Sequence, residues 1–265
     1  MRGLGTERQP VLLTVLGPLS SLLVAIQFLT RLPSPIHSNP SPADVGRSIG
    51  WFPFTGLLIG AALLGVDVVA RTIFDTAVAD AILIWALVAI TGALHLDGVV
   101  DTADGLASGP DAEARLAAMH QPTARVPGAI ACCTLILAIY GALSALEGPA
   151  RPAALLLAPV CGRSTILLGY RVFPYPRTEA TVSRAFKENA TLLQALLGFG
   201  SAAAIAGLVA GGGGLLLLIG TSSVALLLGR LVASRVGGVT GDNHGAICEI
   251  SQLAVLVSAP VILAR

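Results

Sequence analysis

Apolar runs long enough to cross a bilayer recur along this chain, and its polar residues gather between them. A membrane-spanning helix needs about 20 largely apolar residues. Hydropathy places such runs near residues 11–30, 49–70, 79–96, 126–147, 153–173, 191–210, 213–233 and 246–264. Pro18, Ser20 and Ser21 interrupt the first, a composition that also suits a helix lying in the membrane interface. Arg2 and Arg8 precede that run as in a secretory leader, but no A-x-A-like cleavage site follows, and the segment is read as retained. Short links at 148–152 and at Gly211 to Gly214 predict antiparallel helical hairpins. The expected fold is all-α: one integral membrane domain over residues 1–265, a polytopic bundle of about seven or eight membrane helices.

Composition sharpens this picture. The chain is 54% hydrophobic and 12% charged, with a mean hydropathy of +0.82. Soluble domains carry about 25% charged residues, so this chain cannot cover a water-facing surface. Its natural partner is the lipid bilayer, and a homo-oligomer is compatible with such a bundle. A net charge of +1 leaves no electrostatic footprint for nucleic acid. Cys132, Cys133, Cys161 and Cys248 all lie in apolar runs without a C-x-x-C spacing, and are expected to be small buried hydrophobes.

Lysine and arginine set the orientation. One set of alternate loops and adjoining span ends holds Arg31, Arg47, Arg115, Arg125, Arg171, Arg177, Arg184, Lys187, Arg230 and Arg235. The opposite side, past the first span, holds Arg71, Arg151 and Arg265. The positive-inside rule assigns the first set to the cytoplasm, which makes the protein multi-pass in the cell (inner) membrane. The acidic stretch 97–104 and the polar stretch 237–249 both begin on that side, so one cytoplasm-facing site is expected.

The chemistry concentrates in HLDGVVDTADGLASG, from His95 to Gly109. Asp97, Asp101 and Asp104 stand at i, i+4 and i+7, one face of a helix. Like charges on one stripe repel, and an aspartate at membrane depth costs about 2.5–3.5 kcal/mol on insertion scales. A divalent cation removes both penalties, and oxygen-only ligands suit magnesium or manganese. Gly98 and Gly105 leave room for a ligand or a neighbouring helix. A second sequence, GGVTGDNHGAICEI from Gly237 to Ile250, places Asp242 and Glu249 seven apart, again on one face. Taken alone it also reads as a loop-to-helix junction with Asp242 as its cap. His95 and His244 are candidate ligands or proton carriers, and Arg163 and Arg177 are candidate phosphate contacts, with Arg184 and Lys187 behind them.

These sequences share a multi-aspartate pattern with CDP-alcohol phosphotransferases, D-x-x-D-G-x-x-A-R followed by G-x-x-x-D-x-x-x-D. However, Ser108 and Gly109 replace its alanine and arginine, and Ala246 replaces its last aspartate. A wider resemblance runs through most of the chain. FLTRLP (Phe28 to Pro33), the FP of GWFPFTGLLIG, LHLDGVVDTADGL (Leu94 to Leu106), APVCGR (Ala158 to Arg163) and GGVTGDNHGA-x-x-E ending at Glu249 resemble the cobalamin synthase family of adenosylcobinamide-GDP ribazoletransferases.

The resemblance implies a magnesium-dependent membrane enzyme. It would join adenosylcobinamide-GDP to α-ribazole or its 5′-phosphate with loss of GMP. Asp97, Asp101, Asp104 and Asp242 would hold Mg2+, with Asp104, Glu249 and His244 as candidate catalytic groups and Arg163 and Arg177 on phosphate. After Met119 the chain departs from the family at His120, Gln121, Pro122 and Thr123, where K/R-D-S-R is usual, around Arg177 to Phe186, where the usual glycine-rich sequence is absent, and at Gln252, where glutamate is common. The alternatives are a CDP-alcohol phosphotransferase-like enzyme and a cation-coupled transporter. Transport predicts midplane acids and inverted repeats, and neither is visible.

Overall fold

A computed structural model describes residues 18–33, 40–177 and 181–263. Among them the chain is helical without strands. In chain order the helices are α1 (Pro18–Leu29), α2 (Pro42–Ser48), α3 (Phe52–Ile73), α4 (Thr76–Thr91), α5 (Leu94–Leu106), α6 (Ala112–Ala118), α7 (Val126–Ser144), α8 (Ala150–Val172), α9 (Val182–Asn189), α10 (Leu192–Val236) and α11 (Gly241–Ile262).

Five of these are long and apolar enough to cross a membrane, and six when the bent pair α4 and α5 counts as one span. The 45 residues of α10 would run about 67 Å if straight, more than twice the hydrocarbon thickness. Its backbone leaves helical geometry at Ala210 (φ −142°) and Gly211 (φ 55°), and a side chain on Gly214 would strike Ala206 O. The chain therefore folds back there. Counting its two arms separately gives seven spans, in line with the hydropathy pattern. Helix α1, at 12 residues, covers about 18 Å and is short for a crossing; the rest of the 11–30 run lies outside the described residues. Trp85 (71% exposed), Leu208 (88%) and Val261 (78%) face outward, where only lipid can cover so much apolar surface.

Helix α8 is the central column. It packs on α3, α10 and α11 and buries residues along nearly its whole length. Close approach depends on small residues, because a Cβ on Gly60 of α3 would lie 2.8 Å from Leu155 O. Cys161 and Cys248 are buried as expected, whereas Cys133 is exposed and Cys132 half-buried on α7; α7 is apolar all round, so its outward face meets lipid.

The connections at one end of the bundle touch one another. Arg31 N–H donates to Ile90 O, Val239 N–H to Pro174 O, and Arg115 to Arg235 O. Short helices α2, α6 and α9 lie at this end. Phe186 of α9 is buried against Phe28, Phe52 and Tyr170, and Lys187 donates to Tyr170 O and Phe173 O, both at 2.8 Å. Burial, and Arg171 nearby, lower the Lys187 pKa. This lysine serves the C-terminus of α8.

Near the other end lies an ion triad that charge counting missed. Arg151 is 4% exposed, and its Nε reaches Asp67 Oδ1 and Oδ2 at 3.1 and 3.0 Å. Its Nη2 reaches Asp67 Oδ1 at 2.7 Å and Asp80 Oδ1 at 2.6 Å. Nη1 donates to Leu143 O, and Ser144 Oγ donates to Asp80 Oδ2. Four helices (α3, α4, α7 and α8) meet at this one guanidinium, so Arg151 is an interior cation, not a loop charge.

Candidate active site

The site begins with a break in a span. Gly92 (φ 63°) and Ala93 (φ 59°) are both left-handed, and α5 leaves α4 at 91°. The non-glycine at positive φ is unusual, and the Arg31 side chain fills the space where a Cβ on Gly92 would sit. The predicted 79–96 span therefore ends earlier, and the acidic stretch forms its own helix. Asp97, Asp101 and Asp104 share about 60° of the circumference of α5, as their spacing predicts.

A second helix is brought across them. Thr240 caps α11 through a capping box with Asn243, which puts Asp242 in its first turn, where the helix dipole favours a carboxylate. Asn243 also donates from Nδ2 to Thr102 Oγ1 of α5 at 2.9 Å. A side chain on Gly98 would strike Asp242 O, and one on Gly245 would lie 3.2 Å from His95 Cα. The two glycines thus let the helices touch, and the room seen beside Gly98 is taken by a helix. Gly105 serves the same purpose toward Met119.

The result is a cleft of about 360 Å³ that Asp101 and Asp242 line together with His120, Gln121, Tyr175 and Arg177. Asp101 interacts electrostatically with Asp242, Asp97 and Asp104. Arg177 Nη1 stands 3.7 Å from Asp242 Oδ2. Asp97 is exposed at the edge of this group.

The other predicted residues are placed differently. Asp104 is 3% exposed, and each of its oxygens is engaged: Oδ2 accepts from Arg125 N and Oδ1 from Gly128 N, both at 2.7 Å. It caps α7 from a neighbouring helix. Glu249 lies two turns below Asp242, about 10 Å along the axis, and its Oε1 is 3.6 Å from His95 Nδ1. His244 is buried with its ring 4.1 Å from that of Tyr170. Arg163 is fully buried and donates to Gln252 Oε1 at 2.5 Å. Glu249 and Arg163, coupled through His95, lie inside the bundle, His244 is buried against Tyr170, and none of the three lines the cleft. Arg163 sits mid-span on the most buried helix, away from the residues that line the cleft. His120 and Gln121, by contrast, do line the cleft. Neither is a site residue on the sequence reading, which leaves His120 in a loop; the departure of this stretch from the family pattern is the signal that could have found them.

Among the described residues no three His, Cys, Asp or Glu side chains converge as a ready cage for a metal ion. Magnesium does not need one. It keeps several waters and is commonly held by one or two carboxylates plus substrate phosphate. Asp101 and Asp242, facing one cleft from two helices, fit that lower requirement.

Fold and cleft together define a class: a multi-pass helical membrane protein with an acidic cleft at one end of its bundle. The chain belongs to the CobS family, cobalamin-5-phosphate synthase, which it matches over residues 21–260. It is 40% identical to the adenosylcobinamide-GDP ribazoletransferase of Pseudomonas paraeruginosa, over 91% of this chain and 97% of the relative. Proteins of the same name from Brevibacillus brevis (33%) and Acetivibrio thermocellus (32%) are similar over 90% of this chain, and over 97% and 96% of their own lengths. No solved structure matches. Neither a CDP-alcohol phosphotransferase nor a transporter is favoured by these relatives.

Proposed function

We propose that this protein joins adenosylcobinamide-GDP to α-ribazole or its 5′-phosphate and releases GMP, with Mg2+ as cofactor. One observation carries the chemical part of this reading. Asp101 and Asp242 come from sequences more than a hundred residues apart, yet line one cleft beside Arg177.

In this reaction a ribose hydroxyl attacks the phosphorus attached to the cobinamide arm. A new P–O bond forms, the bond from that phosphorus to the bridging oxygen breaks, and GMP leaves with the electron pair. A carboxylate oxygen of Asp101 or Asp242 that the metal leaves free takes the hydroxyl proton. Asp97, Asp101 and Asp242 would hold the magnesium. When bound, it supplies charge neutralisation on the diphosphate and in-line geometry. Arg177 adds a planar set of donors for a phosphate. Asp104 positions: with both oxygens on the start of α7, it locks α7 against α5 and so holds Asp101 in register. Glu249, His95, His244 and Arg163 stiffen the floor beneath. Positive-inside asymmetry puts the cleft on the cytoplasmic side, where nucleotides are found.

The test is a defined assay. Purified protein with magnesium, adenosylcobinamide-GDP and α-ribazole 5′-phosphate should release GMP, and a chelator should stop it. CDP-diacylglycerol with a small alcohol should yield no CMP. Release of CMP and no GMP would overturn the reading.

A further inference from the structure

The departure at His120 sits beside an arginine whose charge is only loosely matched. The Arg177 side chain is 9% exposed. Among the described residues its side chain's polar neighbours are His120 Nε2 at 2.9 Å from Nη1, Leu116 O at 3.4 Å from Nη2, and Asp242 Oδ2 at 3.7 Å from Nη1. None is a charge-assisted bond of the usual 2.7–2.9 Å between opposite ions. A largely desolvated guanidinium whose nearest carboxylate among the described residues stands 3.7 Å away has donors left for a phosphate.

The pair also stands where two clefts adjoin. The 360 Å³ cleft with Asp101 and Asp242 lies on one side. On the other is a space of about 700 Å³ walled by Leu116, Ala117, Pro176 and Val236, with Glu113 the one carboxylate among the described residues lining it. His120 and Arg177 line both. The larger space is within the usual size of a small-molecule site. Apolar walls that end at an arginine match a planar base joined to a phosphate.

We propose that Arg177 and His120 divide two substrate subsites, with a nucleoside phosphate held in the larger cleft and its phosphate on Arg177. This rests on the proposed function and deepens it. His120 is a positioning residue. Arginine can only donate, so His120 Nε2 accepts, which aims the guanidinium along the boundary and leaves the histidine Nδ1–H as a further donor. The shared chemistry is a nucleoside 5′-phosphate. It belongs either to the GDP half of one substrate or to phosphorylated α-ribazole.

Kinetics with both acceptors separate these sources. His120→Ala should raise KM about tenfold for the substrate whose phosphate is held, while kcat falls less than threefold. His120→Gln, which keeps an acceptor for Arg177, should restore most of the loss. A rise seen only with α-ribazole 5′-phosphate assigns the acceptor's phosphate, and one for adenosylcobinamide-GDP with either acceptor assigns the donor's. Unchanged KM for every substrate would overturn the proposal. So would an equal rise for α-ribazole and its phosphate with the donor's KM unchanged, since that reports a base contact. If the wild type releases no GMP, the assigned reaction fails instead. The clamp is then read by calorimetric titration of GMP and of α-ribazole 5′-phosphate into the purified protein. At least one should bind about tenfold weaker to the Ala variant, and equal affinity for both would sink it. A melting curve in detergent confirms that each variant is folded.

Discussion

Arg151→Met removes the only cation from the Asp67–Arg151–Asp80 triad while keeping a long apolar stem. The two carboxylates left behind are 5% and 0% exposed, so water cannot replace the lost partner. Removing one partner of a buried ion pair costs about 3–5 kcal/mol. The arginine here makes four bonds to two aspartates and one to a backbone carbonyl, which argues for the upper half of that range. The loss is capped, because an orphaned aspartate can take up a proton instead of remaining charged. Against a typical stability of about 5–15 kcal/mol, this is about a quarter of the total or more. Reversible unfolding in mixed micelles, titrated with a denaturing detergent, measures it. The triple change Arg151→Met, Asp67→Asn and Asp80→Asn should recover most of the loss, since neutral replacements leave no buried charge. A loss below about 1 kcal/mol for Arg151→Met alone would refute the reasoning, and so would a triple variant weaker than the single one.

The aspartates should divide by role. Asp101→Asn and Asp242→Asn should abolish GMP release with unfolding midpoints unchanged, whereas Asp104→Asn should lower both, because its amide nitrogen cannot accept one of the two backbone N–H groups and leaving that group unpaired costs about 1–3 kcal/mol. Gly98→Ala places a methyl against Asp242 O; pushing α5 from α11 should cost about 1–3 kcal/mol and cut kcat at least tenfold, measured by the same unfolding and GMP assays. In a background without native cysteines, Ala107→Cys, exposed at the end of α5, should react with a membrane-impermeant thiol reagent only from the cytoplasmic side. Labelling from outside would reverse the topology.

Hydropathy located the spans because lipid demands long apolar helices whatever they pack against, and even the turn near Gly211 is marked by its glycines. The pairing of the two polar sequences was also legible, since orientation put both at one end. What failed to show were features set by tertiary partners. The break at Gly92–Ala93 leaves hydropathy uninterrupted. Asp104 has the periodicity of a ligand, but its partners are backbone amides of α7 that no side-chain pattern announces. Arg163 and Glu249 are buried inside the bundle, outside the cleft lining, a depth that spacing along a helix does not reveal. The triad did leave a signal: Asp67 and Asp80 are acids inside apolar runs, and intramembrane charges call for a partner.

The central claim is that Asp101 on α5 and Asp242 on α11 together hold the divalent cation. Electron paramagnetic resonance of Mn2+, which takes the same oxygen ligands, measures this without turnover. Titrated into the purified protein, Mn2+ should show saturable binding that competes with Mg2+. Either Asp101→Asn or Asp242→Asn should weaken it at least tenfold, while Glu249→Gln leaves it unchanged. Unaltered Mn2+ binding in both aspartate variants would contradict the account.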